Sequence, residues 1–143
     1  MLETRRNLKL SSILVLVFAG LSVLNLVLQL CLGGIDSVPG LSAEGLKNAK
    51  IVILIVTLVL TIPEIYIGVK GLSFAKNPDG SKAHIILAKI FFVLSVLAII
   101  DPIINLFKNG GAYENVTTLL SIAVQVLVYF DYVRYAIAVS REN

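Results

Sequence analysis

The chain has 143 residues, 57% hydrophobic and only 15% charged, with a formal net charge of +3 and a mean hydropathy of +0.93. Soluble domains run at roughly 25% charged and 45–50% apolar, so this composition excludes a soluble fold, whose interior could not hide so much apolar surface. The expected architecture is an all-α membrane protein, a four-transmembrane-helix up-down bundle with short loops, forming one integral membrane domain over residues 1–143 with no room for a catalytic extramembrane domain.

The first apolar segment runs from Leu10 to Leu32 behind Arg5, Arg6 and Lys9. It imitates a signal peptide, but such a peptide has an apolar region of about 7–15 residues and a small-residue cleavage site, whereas this run is longer and ends on Leu30, Cys31 and Leu32; it reads as a retained span. The second span is expected over about 51–69, the third over 85–107 and the fourth over about 116–139. Turn-forming residues separate them: Gly33-Gly34 through Pro39-Gly40, Asn77-Pro78-Asp79-Gly80, and Asn109-Gly110-Gly111.

Basic residues orient the bundle, because cytoplasmic flanks carry the excess of Lys and Arg. With the N-terminus inside, Arg5, Arg6, Lys9, Lys70, Lys76, Lys82 and Arg141 collect on the cytoplasmic side, with Lys89 and Arg134 near it, against Lys47, Lys50 and Lys108 outside. Both termini are therefore expected to be cytoplasmic. The basic residues flank apolar segments, so their partners are lipid headgroups and not nucleic acid. The partners expected are the bilayer itself and a second copy or another membrane protein. A single cysteine, Cys31, excludes an intrachain disulfide. Leu21-Ser22-Val23-Leu24 recurs as Leu94-Ser95-Val96-Leu97, which fits either a parallel pseudo-repeat of two helical hairpins or chance among common membrane residues.

Ionisable groups within the spans are costly, roughly 2.5–3.5 kcal/mol at a helix centre, and normally face other helices or a water-filled cavity. Glu64 lies six residues before Lys70 and Lys89 seven past Lys82, each about 10 Å from its anchor at 1.5 Å per residue. Asp131, with Arg134 one turn on, falls at a similar level. Glu64, Lys89, Asp131 and Arg134 thus form a candidate inner charge cluster: either a structural network that locks helix packing or an ion-sensitive gate. In the second span Thr57, Thr61, Glu64, Gly68 and Gly71 recur at three- and four-residue intervals, one helix face that should point into the bundle. Pro63 beside Glu64 and Pro102 beside Asp101 are candidate hinges.

A candidate outer cluster comprises Asn25, Gln29, Asp101 and Asn105, which would either join spans one and three by hydrogen bonds or line an outward-facing cavity for a polar ligand. Thr118, Ser121 and Gln125 add a polar face to span four, while Tyr129, Tyr132 and Tyr135 read as an interfacial belt. His84 stands at the mouth of span three without metal-site spacing, and no metal or cofactor is expected. Asn115-Val116-Thr117 matches a glycosylation sequon but abuts the membrane.

In size and four-span layout the chain is similar to the small multidrug-resistance transporters. Those carry a glutamate centrally in the first span and rely on tryptophan; here the first span offers Asn25 and Gln29 and the chain has no Trp, so no residue carries across. The layout also resembles small four-span bacterial proteins, which implies the bacterial cytoplasmic membrane. No catalytic motif is present. The leading expectation is a non-enzymatic accessory or interaction subunit with a buried polar network. The alternative is a small oligomeric ion- or proton-coupled transporter or channel using Glu64, Lys89 and Asp131. A lipid-modifying enzyme using Asp101 or Glu64 ranks last.

Overall fold

Long runs of Leu, Ile and Val in a medium without water leave the backbone one way to satisfy its polar groups within a single segment, the α-helix. A computed structural model describes residues 2–31, 40, 42–109 and 113–142, and among these the chain is all helical: α1 Leu2–Cys31, α2 Ala43–Lys76, α3 Ala83–Ala98, α4 Ile100–Asn109 and α5 Tyr113–Ser140. Leu32, the expected turns at Gly33–Pro39 and Gly110–Gly111, and the side chain of the sequon's Asn115 lie outside the described residues. Four stretches are long and apolar enough to cross a membrane, with α3 and α4 together forming the third.

The helices outrun the apolar segments. α2 has 34 residues, about 51 Å at 1.5 Å per residue against about 30 Å of hydrocarbon, so it must tilt or project at its ends. Its start is capped: the Ser42 Oγ accepts from the Gly45 N–H at 3.1 Å, and Glu44 in the first turn complements the helix dipole. At the other end Lys76 sits in the last turn, and the backbone then reverses through Gly80 at φ +119°, where a side chain would be strained.

The two membrane prolines behave differently. Pro63 lies inside an unbroken α2, whereas the third span is interrupted at Ile99, two residues before the Asp101-Pro102 pair. Pro102 has no N–H to offer the Ala98 carbonyl, and the local bonding runs instead from the Ile99 N–H to the Ser95 carbonyl at 3.2 Å and from the Ile103 N–H to the Ile99 carbonyl at 3.3 Å. Asp101 itself is helical, in the first turn of α4.

Packing runs in a ring. α1 lies against α2 and α5, α3 against α2 and α5, and α4 against α5; α1 touches neither α3 nor α4 among the described residues. The core is concentrated toward one end, where Leu8, Val15, Ile67, Phe74, Ala88, Tyr129, Tyr132, Ala136 and Val139 close together. At that end the Arg5 Nε donates to the Glu142 Oε2 at 2.8 Å, joining the start of α1 to the chain beyond α5. We call it the terminal end and its opposite the far end. Elsewhere the bundle turns large aliphatic side chains outward, among them Leu24, Ile55, Ile62, Ile86 and Leu127, as a helix surface in contact with lipid tails requires.

Candidate functional site

The polar stripe of α2 faces inward, as its spacing predicts: Thr61, Glu64, Gly68 and Gly71 are buried and Thr57 is half-buried. Its lower part is an interlock. A methyl group added at Gly71 would collide with the Ser12 hydroxyl of α1 and come within 2.6 Å of the Tyr132 ring of α5, and one at Gly68 would lie 2.5 Å from Leu16. Glycine at these positions lets three helices meet at one level.

Above the interlock the same stripe opens onto a cavity of about 260 Å³. α1 contributes Ser22, Asn25 and Gln29, α2 contributes Thr57, Thr61 and Glu64, and α5 contributes Gln125. Leu26 and Leu60 complete the wall, and the polar part of the lining is amide and hydroxyl around a single carboxyl, with Glu64, 6% exposed, as its only ionisable group and Asn25 and Gln29 at the exposed rim. On the other side of Glu64 and Gln125 lies a second, more apolar cavity of about 180 Å³, reaching Phe91 and Ser95 of α3. The Glu64 carboxyl therefore stands between two spaces. Next to it lies the Tyr129 hydroxyl, near enough to interact electrostatically but without an aligned hydrogen bond, its ring stacked on Phe91 at 5.7 Å between centroids.

The inner charges take separate places. Among the described residues no ion pair links Glu64, Lys89, Asp131 and Arg134. Lys89 is exposed on the outward face of α3, beside a shallow apolar groove lined by Ile86, Ile90 and Val93. Asp131 is half-buried on α5, and Arg134 is exposed, its Nη2 donating to the Tyr135 hydroxyl at 2.8 Å while its guanidinium lies 4.7 Å over that ring. Depth counting puts Lys89 level with Glu64, but the helical position of Lys89 turns it toward lipid, and a long Lys stem there reaches headgroups more readily than a buried acid.

The outer cluster divides as well. Asn25 and Gln29 join Glu64 around the cavity, whereas Asn105 donates its Nδ2 to the Asp101 Oδ2 at 3.3 Å within α4, on an exposed surface. They do not bridge spans one and three, because α1 and the α3–α4 segment stand at opposite corners of the ring.

Three residues gain a place that residue order alone did not assign. Tyr129 and Tyr132, expected in an interfacial belt, are core residues at 1% and 0% exposure, and His84, expected at the interface, is 1% exposed. The His84 Nδ1 lies 2.7 Å from the Tyr132 hydroxyl, which donates to the Ile67 carbonyl at 2.9 Å, and Phe74 packs edge-on against the imidazole at 4.9 Å. The signal that could have found Tyr132 is Gly71, a residue with no side chain in a buried stripe, which leaves room for a ring from a neighbouring helix. Tyr135, half-buried beside Arg134, is the tyrosine whose position suits the belt. No group of three or more His, Cys, Asp or Glu residues poised for a metal occurs among the described residues.

Comparison with protein-family models, with characterised proteins and with solved structures finds no match to this chain.

Proposed function

We propose that the chain is a small integral membrane protein that binds a small polar cation at Glu64 and exchanges it against protons, as a proton-coupled transporter does. One observation carries this reading: Glu64 is buried, has no cationic partner among the described residues, and borders a cavity whose other polar lining is all neutral amide and hydroxyl, with Leu26 and Leu60 completing the wall. A buried carboxyl used only for packing is normally paired, because an uncompensated charge in low dielectric is costly. One that borders a cavity can instead hold either a proton or a cation. At about 260 Å³ the space suits a ligand of a few heavy atoms, below the usual range for drug-sized molecules.

The fold in this reading is a single up-down domain with both termini cytoplasmic, in the bacterial cytoplasmic membrane. The Arg5–Glu142 pair supports termini on one side, and the excess of flanking Lys and Arg supports that side being the cytoplasm. The cavity then lies in the outer half. Exposed apolar faces suit lipid tails and a neighbouring copy or another membrane protein alike. Lys89, Asp131 and Arg134 are peripheral to the binding step, and no reaction chemistry is assigned.

The test is a titration of the detergent-purified chain with guanidinium and methylammonium in weakly buffered solution, following proton release. Wild type should release protons on binding and Glu64→Gln should release none. Equal binding by both proteins, or binding by neither, would overturn the reading. A second reading, an accessory subunit whose buried polar groups serve packing, is favoured by the serines: Ser12, Ser95 and Ser121 each donate to the carbonyl four residues back in their own helix. It expects a properly folded Glu64→Gln protein to keep every property of wild type.

A further inference from the structure

We propose that Tyr129, Tyr132 and His84 form a proton path that connects Glu64 with a second polar pocket at the terminal end of the bundle. The proposal rests on the reading of Glu64 as a proton-exchanging group and supplies the route by which protons reach it.

Two buried side-chain polar atoms lack a hydrogen-bond partner among the described residues: the Tyr129 hydroxyl and the His84 Nε2. Buried polar atoms left unpaired are uncommon and call for a reason. Both atoms stand on one line through the bundle. The Tyr129 hydroxyl lies beside the Glu64 carboxyl. Tyr132 is three residues further along α5, on the same helix face, with its hydroxyl bonded to the carbonyl of Ile67, which is likewise three residues from Glu64 along α2. His84 continues the line at 2.7 Å from the Tyr132 oxygen. The imidazole then borders a pocket of about 100 Å³, whose polar lining includes Lys70, Ser73, Asn77, Asp79 and Ser81. Those residues end α2 and form the turn before α3, beyond the apolar part of the bundle.

The hydrogen bonds assign a direction to each proton. The Ile67 carbonyl can only accept, so the Tyr132 hydroxyl donates to it and must accept from the His84 Nδ1–H. In the neutral ring the Nε2 is therefore a lone pair, the unpartnered end of the chain. A proton from water in the pocket binds Nε2, the Nδ1–H proton passes to the Tyr132 oxygen, and the Tyr132 hydroxyl turns away from the Ile67 carbonyl and gives its own proton up toward Tyr129. The Tyr129 hydroxyl passes its own proton to the Glu64 carboxylate and is reprotonated from the Tyr132 side. Each step breaks one N–H or O–H bond and forms another, so no oxidant or other reagent is needed. The two tyrosines are separated by about one helical turn, roughly 5 Å along the axis, so the path calls for one water molecule between their hydroxyls. Rotation of the hydroxyls and the ring restores the starting arrangement.

The charged and titratable groups that face this path are few. Lys70 and Asp79 border the pocket, Tyr66 of α2 interacts with Tyr132, and α1 presents the neutral Ser12 at Gly71 and the amides of Asn25 and Gln29 at the cavity. From α3 the neighbours of Glu64 are Phe91 and Ser95.

The full chain in liposomes that contain a pH-sensitive dye, driven by an imposed guanidinium gradient, tests the path. Wild type should carry protons, and His84→Ala and Tyr132→Phe should each slow that flux by at least about tenfold. External imidazole should restore the His84→Ala flux, which a merely structural role for the ring would not allow. Absence of flux in wild type, His84→Ala flux equal to wild type, or loss without imidazole rescue would each overturn the path. Guanidinium binding separates the two claims: His84→Ala should retain it, so a failed path with binding intact leaves the Glu64 reading standing, whereas Glu64→Gln with unchanged binding removes that reading.

Discussion

At the terminal end polar side chains close onto protein, the His84 Nδ1 on Tyr132, Tyr132 on the Ile67 carbonyl and Ser12 on the Leu8 carbonyl, and Gly68 and Gly71 of α2 leave no room for a side chain of their own. Toward the far end the same helices present Asn25, Gln29, Thr57, Thr61 and Gln125 to a cavity with Glu64 at its border. The difference lies in what occupies the α2 stripe. Glycines draw helices together until a group such as the Tyr132 hydroxyl reaches the neighbouring backbone, whereas threonines and a glutamate hold them apart and leave polar groups around a shared space. A polar residue in a membrane helix is thus glue or lining according to the size of its neighbours.

The contrast can be broken most forcefully at its tight end. Gly71→Val should cost about 3 kcal/mol or abolish folding, through collision with Ser12 and Tyr132, and thermal unfolding in detergent would register the loss. Gly68→Ala should cost less, since the nearest atoms there belong to the Leu16 side chain, which can turn aside. Tyr132→Phe removes a hydroxyl engaged in two hydrogen bonds and should lower stability by about 2 kcal/mol in the same measurement. At the open end, Asn25→Leu and Gln29→Leu should leave unfolding unchanged while weakening guanidinium binding about tenfold, or about 1.4 kcal/mol, by calorimetry. Smallest of all, Lys89→Ala and Arg134→Ala should shift stability by less than about 0.5 kcal/mol, because each is exposed and unpaired with an acid; a larger loss would restore a charge network to the inner layer.

Much of this organisation is legible in the residues. The four spans follow from apolar run length, and the inward face of α2 follows from the spacing of Thr57, Thr61, Glu64, Gly68 and Gly71, because a helix repeats its face every three to four residues. Azimuth between helices is not encoded so locally. Counting from Lys82 gives the level of Lys89 but not the neighbour it faces, and the pairing of Asn25 and Gln29 with Glu64 instead of Asp101 depends on which helices sit side by side in the ring. Tyr129 and Tyr132 were equally opaque. A tyrosine near a helix end has the same composition signal whether it floats at headgroup level or fills the hole left by a glycine on another helix. His84 shares that ambiguity, since a single histidine declares itself only when its partner across the bundle is known.

The unbroken length of α2 has a mechanical consequence. Thr57 lies 14 residues from Gly71, about 21 Å along the axis, so the helix is a long lever clamped near one end. A tilt of about 5° at the clamp would carry Thr57 sideways by about 2 Å, a displacement comparable with the helix shifts by which proteins switch. The tight packing at Gly71 is therefore a fulcrum, about which a small rotation moves the cavity wall at Thr57 while leaving the interlock in place.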